Sequence, residues 1–462
     1  MKRRAALLLA LLVSACAGPV VKTATVAPLA PAPAWRTDSG PVAPLDRAWW
    51  QGFGDPVLTD LVERALANNT DIGVAAARVR EARANVALAR SQVLPTLDAS
   101  LSGVRSREVD PFGQPEKQTA GEPKLQLAYE VDLFGRLADQ RSAARDAYLA
   151  SAAARDAARL SVAAATASGY LALRGLDARL AVARSTLAAR TESLRIARSR
   201  VEHGYSPRLE LAQAQAEYDA TAQILPQIQL AITRAEDALS VLTGTMPSTA
   251  ARGLATDRFT VPPVPEGLPS ELLRRRPDVA QAEYQLAASD RSLAVARKRF
   301  LPQLRLSAAG GAAFSTLLTN PITVWSVGGS ILAPLFEGGR LTAQADAAGA
   351  QRDQAAFAYR RVALGAFRDV EDALAAVQRL DEQVALGERQ RDALAEALRL
   401  ATNRYREGYS PYLEQLDAQR GLLGAQLALI QTRSDALAAR VQLYQAMGGG
   451  WPGVATNPGG AN

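Results

Sequence analysis

The sequence predicts an α+β membrane protein with an internal duplication, each half supplying a β-hairpin and a long helical hairpin. Three observations predict it. Gly-Tyr-Ser-Pro occurs twice, at Gly204, Tyr205, Ser206 and Pro207 and again at Gly408, Tyr409, Ser410 and Pro411. Each copy follows a proline-free stretch of 67 residues, 137–203 and 341–407. Ahead of both stretches lie segments in which apolar and polar residues alternate, the pattern of a strand with one apolar face.

The chain starts with MKRRAALLLALLVSAC, three basic residues followed by a short apolar run and small residues. That is the layout of an export signal, and the run is too short for a spanning helix of roughly 20 residues. Val13, Ser14 and Ala15 before Cys16, the single cysteine, match a bacterial lipobox with cleavage before Cys16 and lipid on its sulfur. With no second cysteine, one chain forms no internal disulfide. Residues 17–37, rich in Pro, Ala and Val, read as a tether.

Loss of Lys2, Arg3 and Arg4 with the signal lowers the formal net charge from +7 to +4. The remaining basic residues are interleaved with acids along helices, which argues against nucleic acid as a partner. Aromatic residues are only 5% of the chain while alanine is abundant, a bias that suits close helix–helix packing.

Shifting the chain against itself gives further pairs: ARSQVLPTLDAS with ARKRFLPQLRLS, and LFGRL with LFEGGRL. The expected division is a signal peptide at 1–15, a lipidated N-terminus and tether at 16–48, a first repeat at 49–252, a linker at 253–270, a second repeat at 271–449 and a tail at 450–462. The β-hairpins are expected at 96–134 and 303–336, and the tip turns at 204–207 and 408–411. Residues 57–93 read as one helix ended by Pro95. The stretches 137–203 and 341–407 are each about 100 Å of helix at 1.5 Å per residue. Each turn is followed by a helix of about half that length, 209–242 and 413–447, so two short helices stacked end to end match one long one. Pro226 is expected to kink the first of these.

In the strands, Leu125, Leu127, Tyr129, Val131 and Leu133 alternate with Gln126, Ala128, Glu130 and Asp132. Leu97, Ala99 and Leu101 form a second apolar row; Leu304, Leu306 and Ala308, then Trp325, Val327 and Ile331, form the rows of the second half. These lengths approach the roughly 9–11 residues of a tilted membrane strand. Residues 105–123 read as a polar loop outside the membrane. Four strands close no barrel, and an open edge is not viable in lipid, so subunits must share one barrel.

The sequence resembles the outer-membrane factors of the TolC/OprM type over nearly the whole mature chain. WWQGFGDPVLTDLVERALANNTDI (49–72), ELLRRRPDVAQAEYQLAAS (271–289) and PLFEGGRL (334–341) carry the resemblance. The lipobox and LRRRPD point to the lipoprotein subgroup that serves resistance–nodulation–division pumps. The resemblance implies a homotrimer, with a 12-stranded transmembrane β-barrel continuous with a periplasmic α-helical coiled-coil barrel. It also implies outer-membrane lipid, a periplasmic adaptor and an inner-membrane pump as partners. The Gly-Tyr-Ser-Pro turns resemble the periplasmic tips that narrow the duct and meet the adaptor. By the same resemblance Glu414 and Asp417, three residues apart on one helix face, match carboxylates ringing the constriction. Arg404, Tyr405 and Glu210 match latch contacts of the closed state. A solvated helix face with ordinary ion pairs is the competing reading for these residues.

Catalysis and cofactors are not expected. His203 is the only histidine, too few for a zinc site or for more than one triad, and no nucleophile elbow, phosphate loop or metal motif is present. The function expected is a passive, gated outer-membrane duct of a tripartite efflux system. The alternatives are a periplasmic adaptor lipoprotein, which would need one hairpin and a β-rich remainder, an anchored coiled coil, which has no use for the strands, and a lipoprotein hydrolase, which would need catalytic groups.

Overall fold

A computed structural model describes residues 21–452 apart from 26, 28, 38–41, 45, 110, 266 and 268. The signal peptide, Cys16 and most of the C-terminal tail lie outside the described residues. In chain order the elements are β1 (Val42–Ala43), a 3-10 turn (Trp49–Phe53), α1 (Pro56–Asn68), α2 (Thr70–Ser91), β2 (Thr96–Val109), β3 (Pro115–Val131), α3 (Arg136–Glu202) and α4 (Arg208–Leu242). There follow β4 (Val264–Pro265), α5 (Pro269–Arg275), α6 (Pro277–Lys298), β5 (Gln303–Ser315), β6 (Ile322–Leu332), α7 (Arg340–Arg406) and α8 (Tyr412–Ala446). Helices α3 and α7 have 67 residues each, and α4 and α8 have 35 each. Helix α4 continues through Pro226.

The chain forms two compact units. One holds residues 77–152 and 281–361 with the N-terminal residues up to Leu29. Its sheet is antiparallel throughout, in the order β2-β3-β5-β6. The register puts Leu97 beside Leu127, Leu127 beside Ala308 and Ala308 beside Val327, so the apolar rows of all four strands share one face. Strand parity puts Asp98, Ser100, Ser102, Gln126, Ser307 and Ser326 on the other. On the apolar face Leu97, Leu101, Trp325, Val327 and Ile331 are each at least 67% exposed. β2 and β6 remain unpaired at the two edges.

The expected loop at 105–123 is corrected. β2 and β3 continue in register to Val109 and Pro115, leaving a tight connection with Gly113 at φ 84°. Polar composition signals exposure to water, which a strand can satisfy as well as a loop. In the same unit the Asp132 carboxylate accepts from Leu137 N (3.1 Å) and Ala138 N (2.8 Å) at the start of α3. The tether, where described, is docked: Val21 is buried with Leu293, Ala296 and Ala345, and Ala24 N donates to Asp353 at 2.9 Å. A Cβ at Gly349 would collide with Val21, so the missing side chain makes room for the strap.

The second unit comprises residues 30–76, 153–280 and 362–462. Its core joins Trp49, Phe53, Leu58 and Val62 to Tyr170, Leu171, Leu173, Leu239, Leu437, Val441 and Tyr444. Phe53 and Leu58 are wholly buried, each contributing about 1.5–3 kcal/mol. The Gly-Asp-Pro of the first signature explains itself here. Gly54 takes φ 75° to end the 3-10 turn, Asp55 caps α1 through Val57 N (2.8 Å), and Pro56 occupies the first helical position. Asp55 also accepts from Tyr170 Oη and Leu254 N, both at 2.9 Å, and Gly253 N donates to Tyr170 Oη at 2.8 Å. Burial, with the Asp55 bond adding to it and the Gly253 bond opposing it, pushes the Tyr170 phenol up to about 12.

The single helix expected over 57–93 is two. Asn69 leaves helical geometry at ψ 131° and its side chain caps α2 through Asp71 N (2.9 Å) and Ile72 N (3.3 Å), while Nδ2 donates to Leu242 O (3.0 Å). In the second signature Arg276 binds Asp278 (2.7 Å), Asp369 (3.2 Å) and Ala446 O (3.2 Å). Burial works against its charge, but the two carboxylates outweigh burial and hold its pKa up.

Candidate functional site

Both helical hairpins end in the same backbone solution. Gly204 (φ 75°) and Gly408 (φ 80°) take the left-handed conformation that stops α3 and α7. Tyr205 N donates to Arg200 O (2.7 Å) and Gly204 N to Val201 O (3.1 Å); Tyr409 N donates to Arg404 O (2.8 Å) and Gly408 N to Tyr405 O (3.2 Å). This pair of bonds satisfies carbonyls that the helix end would otherwise orphan. Pro207 (ψ 154°) and Pro411 (ψ 158°) occupy the N-cap positions, one residue before the returning helices start. The turns leave Tyr205 83% and Tyr409 78% exposed, with the His203 ring stacked on Tyr205 at 6.5 Å.

Below the turns, helices from both hairpins meet in an apolar layer of Leu194, Ala197, Ala214, Tyr412 and Leu416, with Tyr405 and Tyr218 against it. Tyr405 Oη donates to Glu210 Oε1 in a short bond across the hairpins. The Arg200 guanidinium lies 4.6 Å from the Tyr405 ring centre, within cation–π range. Burial, and after it the Glu210 bond, pushes the Tyr405 phenol well up, with Arg200 pulling the other way. The phenol therefore stays protonated and donating at any physiological pH.

One layer further from the turn, Arg190 of α3 is 2% exposed. Its Nη2 lies 3.2 Å from Glu217 Oε2, and its Nη1 donates to Gln419. Arg420 of α8 donates Nε to Glu217 Oε1 at 2.7 Å. One carboxylate thus ties three helices, α3, α4 and α8.

Of the residues singled out from sequence, Tyr405 and Glu210 are brought together. Arg404 takes a different partner: its Nη1 lies 3.2 Å from Glu414 Oε1. Glu414 and Asp417 are both exposed on α8, while Tyr412, Gln415 and Leu416 on the other face are buried. Ser206, Ser410 and the two prolines sit in the turns as described. Sequence reading missed Arg200, Arg190, Glu217 and Arg420. One signal was available: Glu217 stands seven residues after Glu210, two turns along the same face of α4. Among the described residues no three His, Cys, Asp or Glu side chains are grouped to hold a metal ion, and no helix is long and apolar enough to cross a membrane.

A sheet with an apolar exposed face and unpaired edges, in a chain that also carries two long helical hairpins, fits a channel protein of the outer membrane. The chain belongs to the outer membrane efflux protein family, which it matches over residues 61–245 and 268–449, one span in each half. It is 34% identical over 426 residues to the toluene efflux pump outer membrane protein TtgC of Pseudomonas putida, covering 90% of this chain and 87% of that protein. It is 34% identical over 431 residues to the pyoverdine export outer membrane protein OpmQ of Pseudomonas aeruginosa, covering 90% of each. The structure of the outer-membrane channel OprN superposes with a TM-score of 0.84 at 30% identity, covering 94% of this chain and 99% of that one. The protein is an outer-membrane efflux channel with a large periplasmic portion.

Proposed function

We propose that three copies of this chain form one passive duct, fed by an inner-membrane pump through a periplasmic adaptor, with a lipid on Cys16 as anchor. The observation that carries this reading is the sheet: its apolar face needs lipid, and its β2 and β6 edges need other copies of the chain. Three four-stranded sheets make the 12-stranded barrel of the family. The protein has no catalytic part; energy and direction come from the pump. Cargo is chosen there too, since relatives equally similar to this chain are named for toluene and for pyoverdine.

The exposed Tyr205 and Tyr409 turns are the adaptor contact. Glu414 and Asp417, repeated around the axis, ring the constriction and attract cations. Tyr405 with Glu210, and Arg404 with Glu414, latch the closed state. The test is single-channel conductance of the mature protein in planar bilayers beside Asp417→Ala. Small cation-selective currents that grow in the variant support the constriction. Identical currents remove Asp417 from it, and failure of both proteins to insert returns the adaptor and coiled-coil readings.

A further inference from the structure

The β2–β3 ribbon outruns the rest of the sheet. β5 pairs with β3 as far as Ser315 beside Ala120, Thr316 is still bonded to Thr119 (Thr316 N donates to Thr119 O at 2.9 Å), and past Thr119 β2 and β3 continue alone to Val109 and Pro115. The helices join the strands at the opposite end of the sheet, so in an outer-membrane channel with a periplasmic helical portion this ribbon is on the outside.

Side-chain parity runs unbroken through the ribbon. The face that carries Leu97, Ala99, Leu101 and Gly103 on β2 carries Arg105 and Arg107 next, and on β3 it carries Leu125, Pro123, Gly121, Thr119 and then Lys117. The lipid-facing row therefore changes from apolar to basic. The change falls just past Phe314, an exposed aromatic that pairs with Gly121 and marks the outer rim of the apolar band. Arg105 stands about 7 Å and Arg107 about 13 Å beyond that rung along the strand. That is headgroup depth.

Among the described residues no acid neutralises this row. Arg107 lies directly opposite Lys117, a like-charge cross-strand pair that is unfavourable alone. Arg105, Arg107 and Lys117 are all exposed and form no ion pair among the described residues. The nearby acids Glu108 and Glu116 are paired on the opposite face. Three cations without an ion-pair partner among the described residues, with Glu108 and Glu116 turned away, call for an anionic partner lying beside the barrel wall.

We infer that Arg105, Arg107 and Lys117 form a docking row for the phosphate groups of the outer-leaflet glycolipid, the lipid A part of lipopolysaccharide. Guanidinium forks take phosphate oxygens in pairs, and the ammonium adds a point charge. The row would fix the barrel's depth and fasten each subunit to the outer leaflet.

The experiment uses the assembled mature protein in neutral detergent with divalent cations chelated, titrated with bisphosphorylated lipid A, with phosphatase-treated lipid A and with phosphatidylglycerol. Wild type should bind bisphosphorylated lipid A about tenfold tighter than either comparison lipid. R105Q/R107Q/K117Q should lose that preference, R105K/R107K should keep most of it, and Lys117→Gln alone should lose part. Retention of the full preference by the triple variant or by Lys117→Gln overturns the inference. Equal binding of the phosphatase-treated lipid, or equal binding of phosphatidylglycerol, overturns it as well. Bilayer insertion and conductance of each variant, measured alongside, separate a failure of this row from a failure of the channel.

Discussion

Removing the Glu217 carboxylate while keeping its shape, by Glu217→Gln, tests how the tip hairpins are held together. Arg190 is 2% exposed, and among the described residues it has one carboxylate within reach, Glu217 at 3.2 Å, beside the neutral Gln419. The substitution strands a buried guanidinium, which costs about 3–5 kcal/mol when one partner of a buried pair is deleted. The loss at Arg420 adds only about 0–1 kcal/mol, because that side chain is 57% exposed and water replaces its partner. Arg190→Met acts differently: it removes the buried charge and leaves Glu217 paired with Arg420, so it costs little. The double variant R190M/E217Q should therefore recover most of what Glu217→Gln loses. The assay is amide hydrogen exchange read by mass spectrometry on peptides from the ends of α3 and α4, where protection follows local opening. A loss of about 3–5 kcal/mol lowers tip protection by about two to four orders of magnitude, with peptides near Tyr170 unchanged. Equal exchange in Glu217→Gln and the double variant refutes the argument, since no stranded charge would then be responsible. So does unchanged protection in the single variant.

Three other outcomes follow from the same geometry. Tyr405→Phe deletes the donor to Glu210, a loss of about 1.5–3 kcal/mol for a bond to a charged acceptor, and should raise the resting current in planar bilayers by about tenfold or more; currents equal to wild type would mean that this bond is no latch. Gly253→Ala drives a Cβ into the Asp55 carboxylate and should cost about 2 kcal/mol or more through the lost cap and its Leu254 and Tyr170 partners, read as a lower melting midpoint by circular dichroism. The Tyr170 phenol, raised from 10.0 to about 12, holds its proton more tightly folded than unfolded, so its contribution to stability is full below pH 10 and disappears as pH rises to 12. Alkaline melting curves of wild type should thus converge on those of Tyr170→Phe over that window, and curves that stay parallel would contradict the shift.

The sequence by itself determined what is periodic or local. Two 67-residue helices, the alternation of four strands and the duplicated glycine turn are set by residue spacing and by the φ freedom of Gly204 and Gly408, which need no distant partner. Breaks within helices were less legible. Asn69 ends α1 because its side chain caps α2 and its amide reaches Leu242 O, 173 residues away, a partner no local pattern announces. The ribbon at 105–123 was misread for a related reason: polar residues tell of water, while strand pairing depends on a partner chain segment folding back in register. At the tips the sequence supplied the ionisable residues but not their pairing. Tertiary packing gave Glu210 to Tyr405, Arg404 to Glu414, and Arg190 and Arg420 to Glu217, because charge pairing depends on distances of a few ångströms between helices that the chain connects only after long detours. The same contrast holds at the membrane rim. The apolar rows were readable by alternation, but the register that puts Arg107 beside Lys117, with no acid on their face, exists only once the two strands are paired.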